Sequence, residues 1–224
     1  MAVSGTTSFA LTLDEALEEI YSRIGGEPVL GGEARDFLRT INLLMADLQT
    51  RGLLLFTLEQ QSAALTTALA TVSLSSDTWD INSLYVRRTS VDTPMTRISH
   101  EEFANINDKF NQGRPQLYYL DRQRDVPTLW VWPRSENATD TLRYYKIRFI
   151  QDAGRLANDP DLPRRYWPAL VAGLTYFCAL RRGLSFPIDR LNMLKMEYEE
   201  VVQRALDADS ESGSLFVVPL IRTN

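Results

Sequence analysis

The chain has 224 residues, 44% hydrophobic and 24% charged, enough for one large folded domain or one domain carrying an insertion. Its net charge of −5 argues against a nucleic-acid binder that works by neutralising phosphates. The single cysteine, Cys178, excludes an intrachain disulfide, and its apolar run LVAGLTYFCAL predicts a buried small side chain rather than a nucleophile.

The opening MAVSGTTSFALTL lacks a basic region and a long apolar core, so no signal peptide is expected. The first helix starts at Thr12, where Thr12 and Glu15 have capping-box spacing, and Leu13, Leu17, Ile20 and Ile24 recur at helical period. GGEPVLGG breaks it. A second helix carries Ala34, Phe37, Leu38, Ile41, Leu44, Met45 and Leu48 on one stripe and stops at Gly52. The period then changes. ALTTALATVSL and WDINSLYVRR read as strands around a Ser75-Ser76-Asp77 turn, and DTPM reads as a turn. SHEEFANINDKF reads as a short helix capped by Ser99 and Glu102, with Phe103, Ile106 and Phe110 on its apolar side. QLYYL and TLWVW form a hairpin, PRSENATDT is a loop, and LRYYKIRFI is a longer strand. Helical period returns near Asp161. Tyr166, Leu170, Leu174 and Phe177 share a face of a central helix that ends at Gly183. Its apolar stretch, Trp167 to Leu180, is shorter than the ~20 residues a membrane span requires. The last helix starts near Pro187 with Ile188, Leu191, Leu194, Tyr198, Val201 and Leu206 inward. Beyond a joint at Ser210–Ser214 comes the apolar, β-prone LFVVPLIRT.

The order predicts an α+β fold. Residues 1–52 and 157–210 form an antiparallel helical bundle, residues 53–156 an inserted antiparallel β-rich domain, and residues 211–224 an extended C-terminal arm.

Catalysis finds little support in the residue pattern. His100 is the one histidine, so zinc spacing is absent and a helix start is the plainer reading. Gly26-x-x-x-x-Gly31 has phosphate-loop spacing, but Gly32 and Glu33 stand where Lys and Ser/Thr should be. The pairs Glu18-Glu19, Glu101-Glu102 and Glu199-Glu200 sit on helix faces as solvated surface does, not across a cleft. No catalytic residue, metal or cofactor is therefore assigned.

Binding surfaces are better represented. Trp130 and Trp132 are two apart on a strand and share a face, which suits a small core, an oligomer contact or a stacking platform for a sugar or a base. The pairs Arg87-Arg88 and Arg164-Arg165 fall at element ends; they read as surface or as salt bridges between subunits. Leu215, Phe216, Val217, Val218, Leu220 and Ile221 make an apolar strand that must pack back or add to a partner.

Taken in order, several stretches resemble the head-to-tail adaptors of tailed bacteriophages, the group related to podophage tail tubular A and gatekeeper proteins. They are LEEIYSRIG, LRTINLLMADLQTRG, VSLSSDTWDINSLYVRR, ISHEEFANIN with GRPQLYYLD, LWVWPRS, LRYYKIRFI, LPRRYWPALVAGLTYFCALRRG and LKMEYEEVVQRALDAD. The resemblance implies a non-enzymatic virion protein at the head–tail interface, forming a ring, usually of twelve copies. The ring would dock below the portal protein, receive the tail nozzle or hub, and pass genomic DNA without reading its sequence. No membrane is involved. The arm at 215–221 would reach the portal, and Arg87, Arg88, Trp130, Trp132, Arg164 and Arg165 would be subunit or tail contacts. The acidic balance suits such a channel, whose lining is expected to be neutral or acidic. The competing reading is a tail-associated carbohydrate- or receptor-binding module built on Trp130 and Trp132.

Overall fold

The computed structural model describes residues 11–25 and 32–209. The apolar tail from Leu215 to Ile221 and the glycine-rich loop at 26–31 lie outside the described residues.

Helix α1, Leu13–Ile24, begins as its cap predicts. Thr12 Oγ1 accepts the Glu15 N–H at 3.3 Å and the Glu15 carboxylate accepts the Thr12 N–H at 3.0 Å, so two otherwise orphaned donors are satisfied reciprocally. Helix α2, Gly32–Arg51, buries Phe37, Ile41, Leu44, Met45 and Leu48. It stops at Gly52, whose φ of 111° lets the Leu53 N–H turn back to the Leu48 carbonyl.

The strands follow as β1 (Leu58–Ala64), β2 (Thr71–Ser73), β3 (Thr78–Arg88), β4 (Val91–Pro94) and β5 (Thr96–Arg97). A short helix α3 (His100–Ala104) precedes β6 (Gln112–Gly113), β7 (Leu117–Asp121), β8 (Thr128–Trp132), β9 (Arg134–Ser135) and β10 (Thr141–Arg148). Helices α4 (Trp167–Arg181) and α5 (Ile188–Ala208) close the described chain.

One antiparallel sheet has the order β1-β10-β3-β4, the other β2-β8-β7-β5 with its β5–β7 pair parallel. Ile81, Leu84 and Val86 of β3 and Leu142 and Tyr144 of β10 meet Tyr118, Leu120, Leu129 and Val131 of the second sheet in one core. Ile81 and Leu84 are three apart yet both inward. The β3–β10 register shifts between them, and such a bulge restores the inward parity.

A separate core belongs to the helices. α4 packs on α1, α2 and α5, and Ala169, Leu170, Val171, Ala172 and Leu174 are all buried. Gly173 sits where α4 is crowded from both sides. A Cβ there would stand 2.8 Å from Tyr198 Cε2 and 2.9 Å from Leu44 Cδ1. α1 and α4 run in the same direction: the Leu13 N–H meets the Asn158 carbonyl at one end, and Arg182 donates to the Gly25 carbonyl at the other.

Several expectations need correction. Residues 58–64 were not anticipated as a strand, because LEQQSAA is polar and β1 is an edge strand with little burial. Within ALTTALATVSL, Ala64 ends β1 and only Thr71–Ser73 is strand after it; the chain turns at Ala68, with φ 63°, and Leu65 and Leu74 are both in the core. DTPM is not a turn. Val91–Pro94 pairs with β3, the reversal lies at Thr89-Ser90, and Pro94 is tolerated because β4 is an edge. α3 stops at Ala104, so Phe110 is not on its apolar side but 74% exposed. The loop PRSENATDT contains β9, which pairs with β6. Ile188 is 72% exposed at the first residue of α5, and Cys178 is half-buried rather than buried.

Candidate functional site

The richest cluster of functional side chains lies on the outer face of the β7–β8 hairpin. Strand parity places Trp130 and Trp132 on one face, as expected, but Leu129 and Val131 on the opposite face take the core. The tryptophans are half-buried beneath α3 and the loop that follows it. α3 is held by its own capping box, in which Ser99 and Glu102 bond reciprocally, and the Ser99 backbone N–H holds the Glu102 carboxyl below its ordinary range. From there His100 meets Tyr119 edge-on at 5.4 Å, and Phe103 bridges Tyr119 at 5.9 Å and Trp130 at 5.8 Å.

These rings form one wall of an open hollow of about 490 Å³, completed by Lys109, Asp121 and Gln123. Trp132 is committed elsewhere. Its Nε1–H donates to the Asp108 carbonyl at 2.8 Å, while Arg134 donates to the Lys109 carbonyl and covers the Phe110 ring at 4.3 Å. The two tryptophans therefore do different jobs, one lining a hollow and one pinning a loop. His100 contributes a ring edge. Among the described residues no group of His, Cys, Asp and Glu could hold a metal, and no helix is long and apolar enough to cross a membrane.

The arginine pairs are not brought together. Arg87 grips Asp92 with two parallel hydrogen bonds across the β3–β4 turn. Arg88 donates to Asp140 at 3.0 and 2.8 Å and to Glu136. The Asp140 carboxyl is 1% exposed and is held below its ordinary value, first by the Arg88 hydrogen bonds. Asn137 also bonds the Asp140 N–H, so the sequon-like Asn137-Ala138-Thr139 is a turn. Arg165 lies over the Tyr166 ring at 4.6 Å, while Arg164 lines a groove beside α1.

Asp209 was not singled out in the sequence. Its buried carboxylate accepts the Leu54 and Leu55 N–H groups at 2.8 and 3.1 Å, the Tyr166 hydroxyl, and Arg165 at 3.5 Å. One signal was available: an acid at a helix C-terminus opposes the helix dipole and so demands outside donors.

The aromatic hollow, the internally paired arginines and the polar anchors are features of a binding and packing surface. Residues 11–217 match the SU10 adaptor protein family. The chain belongs to that family. Membership makes the protein a head-to-tail adaptor and places it at the head–tail interface of a virion. The adaptor also resembles, at 16% identity, a chain in the neck of an empty GTA particle computed with C6 symmetry; the match covers 81% of this chain and 84% of that one, with a TM-score of 0.29. No curated protein matches the adaptor.

Proposed function

We propose that this adaptor is one subunit of a ring, twelve copies in the expected assembly, that docks below a portal, joins it to the tail nozzle or hub, and lets DNA pass through its centre. Membership of the adaptor family across residues 11–217 carries the reading. In it, residues 1–52 and 157–210 form a helical bundle, with α1 and α4 side by side in the same direction rather than antiparallel, residues 53–156 an inserted β-rich domain, and residues 211–224 an arm whose Leu215–Ile221 stretch reaches the portal. The subunit or tail contacts include Arg87, Arg88, Trp130, Trp132, Arg164 and Arg165. Arg87, Arg88 and Arg165 are already paired within the chain, so a neighbour would meet ordered ion pairs rather than bare cations. No step of this role is catalytic. The channel lining is neutral or acidic in this reading, because a basic lumen would retain the DNA; a strongly basic lumen would refute that part.

Mixing the protein with its cognate portal and measuring particle mass tests the proposal. A rise corresponding to about twelve copies of 25.5 kDa is expected, and its loss on deleting residues 212–224 would put the arm at the contact. No association at any ionic strength would sink the ring reading. The hollow beside Trp130 favours one second reading, a carbohydrate- or receptor-binding module on the tail. On that reading, joint replacement of Trp130 and Trp132 by Ala abolishes glycan binding and spares assembly, whereas the adaptor reading expects the reverse.

A further inference from the structure

The hollow on the outer face of the β7–β8 hairpin is lined by hydrogen-bonding groups that the fold itself does not use. Among the described residues, Trp132 and Trp167 donate their indole N–H groups to the Asp108 and Leu162 carbonyls, whereas the Trp130 indole N–H, the Tyr119 hydroxyl and the His100 ring nitrogens make no hydrogen bond. All three of these uncommitted residues line the hollow. Lys109 gives one N–H to the Ala104 carbonyl and keeps others, and both Asp121 oxygens accept from Gln123 with lone pairs to spare. The enclosed volume of about 490 Å³ lies within the ~300–1,000 Å³ of small-molecule sites.

Charge and shape narrow the ligand. Lys109 and Asp121 carry opposite charges on the same lining, so neither a cation nor an anion gains a net attraction. A neutral ligand rich in hydroxyl groups both donates and accepts, and can engage donors and acceptors of the lining together. The rings meet as corners rather than as parallel plates: Phe103 stands at 61° to Trp130, and His100 at 66° to Tyr119. A flat base finds no slot between parallel faces there, whereas a pyranose can lay its C–H face on one ring and turn its hydroxyls to the rim.

We propose that this hollow binds one neutral pyranose unit of a glycan. Trp130 offers the stacking face, Asp121 accepts from a ring hydroxyl, and Lys109 and the Tyr119 hydroxyl donate to others. Trp132, whose N–H is spent on the Asp108 carbonyl, is not a contact. This site rests on the carbohydrate reading above and gives it a ligand class and a contact set.

The full chain is titrated with the methyl pyranosides of glucose, galactose, mannose and N-acetylglucosamine, beside glucosamine, glucuronate and uridine, and binding is read by saturation-transfer difference NMR. At least one neutral pyranoside should saturate, with the strongest transfer to the C–H protons of one ring face. Its Kd should not change between about 0.05 and 0.5 M salt, because no net charge is exchanged. Trp130→Ala should weaken it by about ten-fold and Asp121→Asn by about three-fold. The second variant keeps the shape of the hollow and decides the matter if the first misfolds. If no pyranoside binds, the carbohydrate reading falls and the proposal with it. If a neutral pyranoside binds but a charged sugar or uridine binds more tightly, or salt weakens binding, or a folded variant keeps the native affinity, the proposal alone is overturned.

Discussion

Replacing Asp209 with Ala removes the acceptor that three separate parts of the chain share. The Leu54 and Leu55 N–H groups and the Tyr166 hydroxyl all lose their partner, at a site where Asp209 is 6% exposed and Tyr166 fully buried. A buried donor left unpaired costs about 1–3 kcal/mol, and hydrogen bonds to a charged acceptor contribute about 1.5–3 kcal/mol each. Arg165 adds little, because its side chain is half in solvent at 3.5 Å. These effects share one carboxylate and do not add fully, so Asp209→Ala should destabilise by about 3–5 kcal/mol. Asp209→Asn keeps an acceptor oxygen but loses the charge, and should cost roughly half as much. With a urea slope of about 3 kcal/mol/M, the alanine variant moves the midpoint down by about 1–1.7 M at unchanged slope. Equilibrium urea unfolding followed by far-ultraviolet circular dichroism reads this directly. A midpoint shift under about 0.3 M would refute the reasoning, because the donors would then be finding water or another acceptor.

Gly173→Ala should lower the melting temperature despite the ~1 kcal/mol gain in helix propensity, because its methyl group would meet Tyr198 and Leu44 inside 3 Å. A net loss of about 1–3 kcal/mol is expected by calorimetry, and an unchanged or raised melting temperature would show that α2 and α5 can retreat from α4. Asp140 gives a pH signature. Its folded pKa lies below the ordinary 3.8 because Arg88 stabilises the carboxylate, so its contribution is complete above that value and disappears as pH falls through the folded one. The stability difference between the native chain and Asp140→Asn, measured by unfolding from pH 6 to pH 2, should shrink below pH 3.8, and a constant difference would contradict it.

Local chemistry was legible in the sequence; long-range choices were not. Thr12 with Glu15 and Ser99 with Glu102 announce helix starts because a cap is written within four residues. The 117–132 hairpin is equally local, and its register pairs Leu117 with Trp132 and Asp121 with Thr128. The shared face of Trp130 and Trp132 followed from strand parity. Which face turns inward did not, because Leu129 and Val131 offer an apolar alternative and only the facing sheet, through β3 and β10, chooses between them. β1 was missed because its partner, β10, lies far along the chain and both faces of LEQQSAA are mostly wet. The Asp209 anchor was missed for the same reason: its donors lie 155, 154 and 43 residues away.

The pairing of β1 with β10 has an evolutionary consequence. Leu58 lies opposite Ile147, so the chain leaves the helices and returns to them through two positions about 5 Å apart. Everything between those positions can lengthen, shrink or be exchanged while the helices see the same two neighbouring ends. Gln49 fixes the returning strand by donating to the Arg148 carbonyl and accepting the Ile150 N–H, so the graft point is held from the helical side. A lineage could therefore change what it presents outward by recombination at this junction, without redesigning the part that holds the subunit together.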